Sequence, residues 1–159
     1  MDYSHIHLFT NHIPIWGGII AFIIFVYSAA RNKKDFLRFS LLIFIIIALA
    51  AIIIYLTGEP AGEPIKNLPG ISEEIIDKHE EASLLPFILI EVLGAASIFG
   101  LIVLKKYDKQ PGWFIYSFII VSIVYIVSVA WAANLGGQIR HTEIRPGQMH
   151  IENNEKPEK

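Results

Sequence analysis

Six histidines, at positions 5, 7, 12, 79, 141 and 150, lie outside every long apolar stretch of this 159-residue chain. His12 stands just before the first such stretch, His79 five residues before the third and His141 six residues after the fourth. Three separate segments thus bring an imidazole to a similar height above one apolar edge. Imidazole is the commonest side-chain ligand for metals and an axial ligand for haem iron, so this convergence is the main chemical signal in the chain. Cysteine is absent, which removes disulfides, thiolate nucleophiles, iron–sulfur ligation and cysteine-type zinc sites. Ligands must come from histidine, carboxylate or backbone. His12, His79 and His141 are the first candidates, and His7 the fourth, since its five-residue spacing from His12 suits a wrapping loop rather than one helix face. Glu80 and Glu143 add carboxylates beside His79 and His141. His5 and His150 read as bystanders. The alternative for any single histidine is a partly exposed ring that merely hydrogen-bonds at a membrane interface.

Spacing also suggests direction. Ile75 and Ile76 precede His79, and Ala82 and Ser83 follow it, at three- and four-residue intervals, so His79 falls on the apolar stripe of a short outer helix. Asn11 and Pro14 place His12 at the mouth of the first span, and Gly136-Gly137 stops the last helix so that Gln138 to His141 folds back over that mouth. Glu91 is a separate feature, roughly 10 Å inside the third span. It is either a proton-handling carboxyl or a protonated one hydrogen-bonded to a neighbouring helix through Ser128 or Tyr125.

These residues need a scaffold, and the composition supplies it. Hydrophobic residues make up 53% of the chain and charged ones 18%, too apolar for an ordinary soluble domain. With 13 Lys and Arg against 15 Asp and Glu, nucleic acid is set aside as a partner. Apolar stretches at about 13–30, 36–57, 84–104 and 113–135 each suffice to cross a bilayer. They predict an all-α, integral membrane four-helix bundle in one domain, 1–144, with a short amphipathic outer helix before the third span and a polar, flexible tail at 145–159. The first span reads as a retained helix, with no basic residue before it and no cleavage pattern after it. Arg31, Lys33, Lys34 and Arg38 in one short connection, and Lys105, Lys106 and Lys109 in the other, mark the cytoplasmic side. The expected location is therefore a bacterial inner membrane, with both termini and every histidine outside.

The residues also resemble a known family. His7-x4-His12-Ile13-Pro14 is similar to the His-x4-His-Phe-Pro signature of the bacterial membrane family called domain of unknown function 2231. Thr57-Gly58, Asp77-x-His79-Glu80-x-Ala82 and Gly136-Gly137-x3-His141 look like its other marks, so the resemblance covers residues 7 to about 144. It departs at Ile13 for Phe, at Leu8 for Pro and at Arg140 to Glu143 for Tyr-x-His-Gly. The resemblance implies a four-span inner-membrane protein whose histidines belong to the signature, and supplies no activity.

Three functions follow as expectations. Two inward histidines on separate elements suit b-type haem for electron transfer, with the acidic connection between the second and third spans as a dock for a soluble redox partner. Three imidazoles with Glu80 or Glu143 would instead hold a divalent ion such as zinc, copper or iron. The last possibility is a structural subunit of a larger membrane complex. Each describes a redox, binding or scaffold protein in the lipid bilayer rather than a stand-alone enzyme.

Overall fold

A segment buried in hydrocarbon keeps its backbone polar groups paired only as a helix or a closed barrel. This chain takes the first course. The computed structural model describes residues 3–66, 68–107, 109–141 and 145. Its helices are α1 (Tyr3–Thr10), α2 (His12–Ala30), α3 (Lys34–Gly62), α4 (Glu73–Tyr107) and α5 (Gly112–Arg140), with one 3-10 turn at Glu63–Ile65, and there is no strand among the described residues. Four helical segments, the first starting in α1 and running through α2, are long and apolar enough to cross a membrane. They form an all-α bundle in which each helix packs on the next and α2 closes against α5.

Where helices stop is decided locally. Pro14 cannot offer the N–H that the Thr10 carbonyl needs, and the chain breaks between α1 and α2 at that point, with the Asn11 N–H still bonded to the His7 carbonyl at 2.9 Å. The α2–α3 turn closes in three residues through Asn32 at φ 49°, a left-handed conformation that asparagine tolerates better than most side chains. The predicted outer helix exists, but it is not a separate piece. It forms the first turns of α4, which runs without interruption through Pro86. The Ser83 hydroxyl donates to the His79 carbonyl at 2.7 Å just ahead of that proline.

The interior is built from rings and small residues. Phe25 of α2 stacks on Phe118 of α5 with centroids 4.4 Å apart, and Phe44 of α3 meets Phe118 edge-on at 5.0 Å. Lipid tails are as apolar as these side chains, so close packing and interhelical hydrogen bonds hold such a bundle rather than expulsion of water. Gly94 of α4 shows how close the approach is, since a Cβ there would lie 2.6 Å from Cβ of Ala48 on α3. On the opposite seam a Cβ on Gly18 would lie 2.6 Å from the Tyr125 ring, and that ring needs the space to donate its hydroxyl to the Pro14 carbonyl at 2.7 Å. The outer face is Trp16, Ile20, Ile46, Ile102, Ile120 and their like, all more than half exposed, as a lipid-facing surface requires.

Gly94→Ala is expected to destabilise the bundle by about 1–3 kcal/mol through overpacking. Adding Ala48→Gly should recover most of that loss in thermal unfolding of the detergent-solubilised protein.

Candidate functional site

Two of the six histidines are built into the bundle, both at the end where α2 and α4 begin. α1 lies against the last turns of α3, and there Nδ1 of His7 is 3.1 Å from the Ile54 carbonyl oxygen. α4 lies against the last turns of α5, and there Nδ1 of His79 is 2.9 Å from the Ala132 carbonyl oxygen. A carbonyl can only accept, so both rings carry their proton on Nδ1. In the neutral ring the other nitrogen, Nε2, then keeps a lone pair. Neither Nε2 makes a hydrogen bond within the described residues. A metal-binding imidazole takes this arrangement, with its second nitrogen oriented by a backbone carbonyl. The His79 ring lies near enough for its charge to be felt at His7.

Each ring is seated on a glycine. Gly58 lies four residues after Ile54, and a Cβ there would meet His7 Cε1 at 3.5 Å. Gly136 lies four residues after Ala132, and a Cβ there would meet His79 Cε1 at 3.0 Å. The two seats are therefore copies of one design. The likeness extends along the helices, since both His7 and His79 stand seven positions before a buried proline. From that proline, α2 buries Pro14, Gly18, Ala21, Phe25 and Ser28 while α4 buries Pro86, Ile90, Leu93, Ser97 and Gly100, in the same register. The first half of the chain, α1 to α3, and the second, α4 and α5, form a two-fold repeat displaced by 72 residues at the histidine and proline positions. A search for periods of 20–50 residues misses a unit this long.

The remaining candidates are placed otherwise. His12 is exposed at the start of α2, and His141 is exposed at the end of α5 with its N–H bonded to the Gly137 carbonyl at 3.0 Å. His5 is also exposed. Glu143 and His150 lie outside the described residues. Glu80 is half-buried, with one oxygen 3.4 Å from where a Gly62 Cβ would stand, and its charge reaches Lys66. No group of three or more His, Asp or Glu able to hold a metal ion occurs among the described residues. The expected convergence of His12, His79 and His141 is thus not seen there. The break at Asn11 turns His7, and not His12, toward α3.

For Glu91, the hydrogen-bonded alternative is not seen. Neither proposed partner takes it, because the Tyr125 hydroxyl donates to Pro14 and the Ser128 hydroxyl donates to the Tyr125 carbonyl at 2.9 Å. Its Oε1 is buried without a partner among the described residues.

The carboxylates around this end keep a surplus of negative charge. Lys66 pairs with Glu63 at 2.7 Å and Lys78 with Glu74 at 2.6 Å. Glu59, Glu73, Asp77 and Glu81 stay exposed and outside any ion pair among the described residues. Comparison of the chain with protein-family models, with curated proteins and with solved structures returned no match.

The two seats are not equally tight, which makes them separable. Gly136→Ala should displace the His79 ring and move its imidazole 15N resonances away from the Nδ1–H pattern, whereas Gly58→Ala, meeting His7 only at contact distance, should leave the His7 signals in place.

Proposed function

We propose that this chain is a redox protein of a bacterial inner membrane, in which His7 and His79 would hold a b-type haem. One observation carries the reading: each half of the repeat presents one imidazole, at the same end, with Nδ1 tied to a backbone carbonyl and Nε2 left with its lone pair. Haem iron can be held by two such protein ligands, whereas a protein-bound zinc ion needs three or more. The pair therefore suits haem better than a bare ion. When bound, haem would supply a one-electron couple. The chain's own part is to fix both ring tautomers and to bring one ring from each half.

The same proposal takes the resemblance to domain of unknown function 2231 as kinship. It also takes the lysine- and arginine-bearing connections as cytoplasmic, by the positive-inside tendency. The histidine end then faces outward, where the exposed Glu59, Glu73, Asp77 and Glu81 favour a soluble redox partner with a positive docking face.

The test is to purify the protein in mild detergent and record oxidised and reduced absorption spectra with iron analysis. A Soret band that shifts and sharpens on reduction is expected, lost in His7→Ala and His79→Ala and kept in His12→Ala and His141→Ala. Retention of the band in both of the first two variants would sink the ligand assignment. Orientation is checked separately, and the absence of native cysteine makes the background clean. In intact cells stripped of any outer barrier, Ser72→Cys should react with a membrane-impermeant maleimide, and Lys33→Cys should react only after lysis.

A further inference from the structure

One hollow of the bundle lies toward the opposite end from the histidines. A cleft of about 450 Å³ sits where α4 ends and α5 begins, walled by Phe99, Val103 and Tyr107 and bordered by Lys109 and Gln110. A second hollow of about 170 Å³ lies along the same two helices, lined in part by Val92, Ala96, Ser117 and Val121. The two adjoin, because Phe99 on the first and Trp113 on the second have ring centroids 6.4 Å apart. Gln110 secures the wide end by donating its side-chain amide to the Gly100 carbonyl. The result is a groove, apolar along its length, that opens to lipid between α4 and α5.

Its mouth is cationic. Lys105, Lys106 and Lys109 are all exposed, and none enters an ion pair among the described residues. Lys106 Nζ stands 5.0 Å over the Tyr107 ring. Asp108 is the one acidic residue in this stretch, so positive charge prevails. Exposed Tyr107, Trp113 and Tyr116 mark the same level as the membrane–water interface, where such rings gather.

We propose that this groove binds one anionic phospholipid. Its phosphate is held by Lys109, with Lys106 beside the Tyr107 ring, and one acyl chain lies past Phe99 and Trp113 toward Ala96 and Ser117. An amphiphile of this kind answers both halves of the surface at once. A free anion would leave the groove empty, and a neutral lipid would leave three lysines unanswered. Basic pockets between membrane helices are a recognised site for such head groups, each lysine adding to the attraction. The connection between α2 and α3 carries comparable charge on Arg31 and Lys33 but borders neither hollow, so it serves as an internal control.

The experiment uses the full chain in detergent, supplied with phosphatidylglycerol or with phosphatidylcholine of the same acyl composition, and read by native mass spectrometry and thermal unfolding. One phosphatidylglycerol should be retained per chain and should raise the unfolding temperature, with phosphatidylcholine washed away. The Lys105→Ala, Lys106→Ala, Lys109→Ala triple variant should lose retention by about tenfold or more, while Arg31→Ala with Lys33→Ala should not. Ala96→Phe, which narrows the groove at unchanged charge, should also release the lipid. Equal retention by the triple variant, equal loss in the Arg31 and Lys33 control, or equal retention of phosphatidylcholine would each overturn the proposal. Displacement of the lipid by glycerol 3-phosphate or inorganic phosphate alone would overturn it too, as would dimerisation through the groove with no lipid bound.

Discussion

In hydrocarbon, a buried polar side chain gains from a partner within the protein, and among the described residues that partner is most often a backbone carbonyl, with Glu91 and Ser122 as exceptions. Ser28, Ser40 and Ser97 turn back to carbonyls of their own helices at 2.7–2.8 Å. Tyr125 reaches across from α5 to Pro14, His7 from α1 to Ile54, and His79 from α4 to Ala132. Arg145 gathers the carbonyls of Gln138, Ile139 and Gly70, tying the end of α5 to the α3–α4 connection. Each such tie is worth only about 0.6–1.7 kcal/mol in a membrane. Their value lies in position, because each fixes a rotation or a register that apolar packing alone would leave loose.

The glycines belong to the same economy of space. Gly18 lets the Tyr125 ring pass to its carbonyl, and Gly136 does so for His79. At Gly94 the gap is used differently, bringing α3 and α4 together without a polar tie. The tightest approaches therefore mark two functions, helix contact and ring seating, which composition does not distinguish.

This explains what could be read from the chain alone. The four spans and the helical class follow from long charge-free stretches, and the first turn of α4 from Ser72 followed by Glu73 and Glu74. The inward setting of His79 was visible in its apolar neighbours at three- and four-residue spacing. The setting of His7 was not, because its partner is the carbonyl of Ile54, and any residue offers a carbonyl. The same holds for Tyr125, one of two candidate partners for Glu91, whose hydroxyl goes to the Pro14 carbonyl. One signal in the sequence does point to His7: like His79, it precedes a proline by seven positions, a spacing that His12 lacks. Proline breaks many helices, yet α4 runs on through Pro86, because neighbouring helices and side chains in a membrane bundle make up for the missing bond.

Carrying both histidine seats on a single polypeptide has a thermodynamic consequence. A two-span chain with one such seat could assemble the pair only by meeting a second copy, and the fraction assembled would then follow its abundance in the membrane. Here the connection between α3 and α4 turns that encounter into an intramolecular one, with an effective concentration set by the length of the tether. The completeness of the pair thus becomes independent of expression level, and the two seats, no longer constrained to be identical, are free to differ. The seats do differ, the glycine contact being closer at His79 than at His7.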